Sequence, residues 1–95
     1  MKVADKSILK VGDLIWFHNW GVGGFLFGVI VECDEDYYHN TIGIWRAKSS
    51  FSLDAIDGIE LIKKIEDVED YALHDFQDFL NEVEEHNIYC NFITQ

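Results

Sequence analysis

From Glu66 to Gln95 the chain carries nine carboxylates and no lysine or arginine. A stretch this acidic stays ordered only if it hides an apolar stripe while its charges face water. The stripe is present. Val68, Ala72, Leu73, Phe76, Phe79, Leu80 and Val83 recur at spacings of three, four and one. On a helical wheel they fall within an arc of about 140°. The spacing predicts an amphipathic helix over 67–86. Asp67 with Asp70 three residues on resembles a capping-box start, and acids in a first turn suit the helix dipole. Asp75, Asp78, Glu82 and Glu85 gather with Asp67 on the opposite side.

Such a helix needs a surface to lie on. The rest of the chain offers one, because 48% of all residues are hydrophobic and 15% aromatic. That composition excludes a disordered acidic tail, although 7 bases against 18 acids leave a net charge of −11. Length allows one core, so residues 1–95 read as a single domain, mainly β over 1–65. There is no proline, and we find neither a linker nor an internal repeat.

The β portion is punctuated by glycine. A short strand is expected near Ile8 to Val11, then a turn at Gly12-Asp13. Leu14 to His18, Phe25 to Glu32 and Thr41 to Ala47 are aromatic or β-branched and read as strands. Gly28, inside the second of these, predicts a bulge or bend. Ser49 to Asp57 reads as a loop or a helical turn that delivers Phe51 and Leu53 to the core. Ile59 to Ile65 reads as a fourth strand, and Ile88 to Thr94 as a closing one. The expected fold is α+β: a small curled antiparallel sheet, or partial barrel, of four or five strands with a helix across it.

Val11-Gly12-Asp13-Leu14-Ile15, followed by Gly28-Val29-Ile30-Val31-Glu32, resembles the opening of an SH3-like barrel over residues 11–47. The resemblance implies a binding module rather than a catalyst. In size and charge the chain is similar to small acidic phage anti-CRISPR and anti-restriction proteins, and to bacterial immunity proteins that neutralise nuclease toxins.

Motifs for chemistry are missing. Gly21-Val22-Gly23-Gly24 lacks the lysine of a phosphate loop. Counted from Asp34, the acidic turn places His39 and Trp45 where a calcium loop needs glycine and glutamate. His18, His39, His74 and His86 have no zinc spacing, and Cys33 and Cys90 form no disulfide framework. Neither cysteine has the sequence setting of a thiol nucleophile. No enzyme activity, metal or cofactor is therefore expected. Direct binding to nucleic acid is disfavoured, because phosphate contacts need clustered Lys and Arg. No apolar run reaches the roughly 20 residues of a membrane span, and no signal peptide opens the chain, so a cytoplasmic setting is expected (the host cytoplasm for a phage product).

The expected function is inhibition or sequestration of a basic protein, a nuclease or another nucleic-acid enzyme, by a carboxylate-rich face that mimics nucleic acid. The candidate contacts are Asp67, Asp70, Asp75, Asp78, Glu82 and Glu85. A second acidic cluster adds Glu32, Asp34, Glu35 and Asp36. Trp20 in the glycine loop, with Tyr37, Tyr38 and Tyr71 beside acids, are candidate aromatic anchors. The alternatives are an SH3-like adaptor that binds a protein through its aromatic loop, and a small-ligand binder using Trp16, Trp20 and Trp45.

Overall fold

A computed structural model describes residues 2–19, 24–32, 42–46, 49–51, 53 and 56–94. Strands β1 (Leu14–Asn19), β2 (Gly24–Glu32), β3 (Ile42–Arg46), β4 (Ser49–Phe51) and β5 (Ile56–Ile62) form one sheet in the order β4-β3-β2-β1-β5. All its pairings are antiparallel. Helix α1 (Leu73–Glu85) packs on one face, and a one-turn helix α2 (Asn91–Thr94) follows it. The fold is α+β, as the sequence predicts.

Strand periodicity of two sends alternate residues to opposite faces, and here both faces are buried. Leu14, Phe27, Val29, Trp45 and Ile62 face the helix and meet Phe76, Phe79 and Val83. Ile15, Phe17, Ile30, Ile44, Ile59 and Leu61 face the other way, where Leu9 and Leu53 complete a second core. Gly28 sits at its centre: a Cβ there would lie 2.5 Å from Ile44 Cγ2 and 2.8 Å from Phe17 Cε1. Its missing side chain is what lets those two strands close in.

The expected bulge is not at Gly28, because the β1–β2 register runs unbroken from Leu14↔Val29 to Asn19↔Gly24. It lies on β5. Trp16 pairs with Glu60 and His18 with Asp57, so two residues of β5 oppose Phe17 alone. That extra residue brings Ile56 and Ile59, three apart, to the same inner face. The fourth expected strand, Ile59 to Ile65, starts and ends three residues earlier, at Ile56–Ile62. The strand expected near Ile8 is a 3-10 turn, Lys6–Ile8. It is held by Lys6 Nζ, which donates to the carbonyls of Leu53 (2.7 Å) and Ile56 (2.9 Å). The ambiguous segment from Ser49 contributes strand β4 and the buried Leu53.

The predicted helix exists but starts later. Val68 and Glu69 are extended, with ψ of 128° and 143°. Two 3-10 turns, Ile65–Asp67 and Asp70–Ala72, precede α1. Asp67 is no helix cap. Its carboxylate accepts the N–H groups of Lys63 (2.8 Å) and Lys64 (3.1 Å) and closes the earlier turn. Val68 still reaches the helix-side core, from extended backbone. Leu73, assigned to the apolar stripe, is exposed.

The closing strand expected over 88–94 is absent. At the end of α1, Asn87 adopts a left-handed φ of 56°. The Asn87 N–H donates to Glu84 O (3.2 Å) and the Ile88 N–H to Val83 O (3.0 Å). This paired closure is a Schellman motif, and it turns the chain back on itself. Ile88, Cys90 and Phe92 then re-enter the helix-side core, and the Asn91 N–H donates to Gly12 O at 2.8 Å. Their alternation imitates a strand, but the turn delivers them to the core one by one.

Candidate functional site

The β1–β2 hairpin places Trp16 opposite Phe27 and His18 opposite Phe25. The rings of Trp16 and Phe25 meet diagonally, with centroids 4.8 Å apart. Phe27 continues inward and packs on Phe76 and Phe79. Trp16 and Phe25 are left at the margin of the core, and Phe25 is 53% exposed.

The approach to α1 supplies the facing wall. Tyr71, in the 3-10 turn Asp70–Ala72, lies 6.1 Å from Trp16 by ring centroids and is 76% exposed. Asp75, Asp78 and Glu82 follow at helical spacing on one flank of α1. Together with Trp16, Phe25, Tyr71 and Arg46 they line a groove of about 430 Å³ between helix and sheet. Among the described residues that line it, three carboxylates meet one guanidinium, that of Arg46. Ring faces and carboxylates both present negative potential, so the groove suits a cation and repels phosphate. On the far side of the Trp16–Phe25 pair, Val3, Ala4, Gly58 and Ile59 line a second groove of about 400 Å³.

The predicted contacts are thus only partly gathered. Asp75, Asp78 and Glu82 share the groove. They do not stand opposite the sheet, as the wheel implies, but along the seam beside it. Asp78 also lies 3.4 Å from His74 Nε2 one turn back. Glu85, Asp70 and Glu32 are exposed elsewhere. Asp67 is half-buried, and the N–H of Lys63 holds its carboxyl below the usual range, with Lys64 adding to the effect. Asp34, Glu35, Asp36, Trp20, Tyr37 and Tyr38 lie outside the described residues.

Sequence reasoning does not pick out Phe25 or Arg46, and it assigns Trp16 to a different cluster. The period-two pattern Trp16-x-His18 against Phe25-x-Phe27 carries the signal, but only once the hairpin register is known. Trp45 is buried against Phe79 and His86, so it does not join Trp16 in one ligand pocket. Cys90 is a buried thiol. Among the described residues no three His, Cys, Asp or Glu side chains converge as a metal site. No helix among them is long and apolar enough to cross a membrane. Compared with known family models, curated proteins and solved structures, the chain matches none.

Proposed function

We propose that this chain is a non-catalytic binding protein. It captures a basic, nucleic-acid-binding protein through the carboxylate flank of α1, and inhibits it by occupying the cleft that otherwise holds a phosphate backbone. The observation that carries the reading is the gathering of Asp75, Asp78 and Glu82 beside the exposed rings of Phe25 and Tyr71. Acids three and four residues apart place one charge about every 5 Å of helix axis. That is the same order as the roughly 3.4 Å per phosphate along one DNA strand. A field of one sign accelerates encounter, and aromatic surface beside it supplies short-range affinity. Anti-defence and toxin-immunity proteins, to which the chain is similar in size and charge, are examples of such a role.

The test is a pull-down from bacterial lysate at about 0.1 M and about 0.5 M salt, a range over which screening tightens strongly. The bait is wild type beside the variant Asp75→Asn, Asp78→Asn, Glu82→Gln, Glu85→Gln. Wild type alone should recover a basic nucleic-acid-binding protein, at low salt only, and added duplex DNA should release it. A partner retained equally by both baits at both salts refutes the charge reading. It would favour the second one, an adaptor of SH3-like design. The strand order β4-β3-β2-β1-β5 supports that alternative, since the fifth strand returns beside the first.

A further inference from the structure

We infer that the groove between α1 and the β1–β2 hairpin is the seat of one arginine side chain of the partner. This deepens, and rests on, the reading of the protein as a binder of basic partners. The groove has two kinds of wall. One is aromatic: Trp16 and Phe25 at 4.8 Å, and Tyr71 at 6.1 Å from Trp16. The other is anionic: Asp75, Asp78 and Glu82. A planar guanidinium uses both at once. It stacks on a ring face, and its fork of N–H donors matches a carboxylate. A lysine ammonium is a compact, strongly hydrated charge and gains only part of this.

Arg46 lines the same groove, so among the described lining residues three carboxylates stand against one guanidinium, an excess of two negative charges. That excess favours a second cation over an anion or a neutral group. The open volume of about 430 Å³, with Arg46 in place, leaves room for a further guanidinium and its stem. Phe25 at 53% exposure and Tyr71 at 76% leave ring surface wet. Exposed ring surface beside carboxylates is the combination that a stacked guanidinium uses. Because both rings are so exposed, Tyr71 can be truncated without emptying the core.

The probes are two capped peptides, acetyl-Gly-Gly-Arg-Gly-Gly-amide and its lysine counterpart, titrated at low salt into the labelled full chain. Amide and indole NMR shifts report binding. The arginine peptide should shift the Trp16 indole and the Tyr71 amide saturably, and bind at least about threefold tighter than the lysine peptide, the scale of one cation–π contact. Tyr71→Ala and Asp75→Asn should each weaken it by a similar factor. Glu84→Gln removes a charge from the opposite flank, Ala4→Trp fills the second groove, and both should leave the affinity unchanged. Equal binding of the two peptides overturns the inference. So does equal weakening by Glu84→Gln and Asp75→Asn, which would mean diffuse attraction to the acidic surface. A wild-type pull-down that still recovers a basic protein, unaffected by Tyr71→Ala, refutes the arginine seat and spares the proposed function. Specific peptide binding with no basic protein recovered does the reverse.

Discussion

The two faces of the sheet are closed by different means. The inner core is aliphatic, with Phe17 its one aromatic member among the described residues. The strands themselves, with Leu9 and Leu53, seal it. The outer, helix-side core mixes Leu14, Val29, Ile62 and Val83 with the rings of Phe27, Trp45, Phe76 and Phe79, and has Trp16 and Phe92 at its margins. Here the cover is a separate element, α1. A cylinder laid on a sheet touches it along a line and leaves a seam on either flank. The groove of Trp16, Phe25 and Tyr71 is such a seam, and the acids of α1 border it. The buried middle of each core serves stability, and both faces end in a groove: Val3 and Ile59 line one beside the inner core, and the acids of α1 border the other, where we propose recognition.

The strongest way to break this comparison is Phe17→Ala. Phe17 is fully buried and its ring lies against the position of Gly28, so truncation leaves a cavity bounded by strands already paired. The expected cost is about 3–5 kcal/mol, a large share of the total stability of a small domain. Tyr71→Ala, on the open margin of the outer face, should cost less than about 0.5 kcal/mol. Urea denaturation followed by circular dichroism measures both. Comparable losses would mean that Tyr71 is structural, and the division between the faces would fail.

The two faces also differ in how far the sequence reveals them. The alternation in Leu14 to Phe17 and in Phe25 to Val31 announces buried strands, and Phe76, Phe79 and Val83 announce a helix, because each element follows its own period. The inner core required a non-local fact. Ile56 and Ile59 share a face only through the bulge opposite Phe17. The local cue is Gly58 alone, which takes the left-handed φ of 59° of a glycine bulge, and the register it sets appears only once β5 is paired with β1. The groove was half legible. Asp75, Asp78 and Glu82 are evident from helical spacing, but Phe25 and Arg46 join them through strand pairing alone. The segment after α1 misled for a definite reason. Ile88, Cys90 and Phe92 alternate like a strand, and the asparagine that reverses the chain is a weaker stop signal than the usual glycine.

That reversal sharpens the comparison at a smaller scale, because it is how the outer core gains its last members. Asn87 occupies the left-handed region with φ 56°, which an alanine enters at a cost of about 1–2 kcal/mol. Asn87→Ala should lower the midpoint of thermal unfolding by several degrees, given about 4–8 °C per kcal/mol for a domain of this size. Asn87→Gly should hold the midpoint or raise it, since glycine has no Cβ to strain. If both substitutions lowered it equally, the asparagine amide would matter rather than its backbone, and the account of the turn would be wrong.

A further small effect concerns Asp67, whose turn carries the chain from β5 to the outer core at Val68. Its carboxylate is fixed by the N–H groups of Lys63 and Lys64, and those bonds hold its pKa below 3.8 in the folded protein. In the unfolded chain the same carboxyl titrates near its ordinary value. The sign follows from which state takes up the proton first. As pH falls, the unfolded chain is protonated before the folded one, so falling pH favours unfolding. The contribution of Asp67 is complete above the unfolded value and is lost as pH drops through the lower, folded one. Because the group sits near water, the contribution should stay under about 1 kcal/mol. The useful quantity is the stability difference between wild type and Asp67→Asn. That difference should be constant from neutral pH down to about pH 5 and shrink below the ordinary carboxylate range. A difference that grew on acidification would mean that Asp67 is better stabilised in its protonated form, and that the turn is held by something other than this carboxylate.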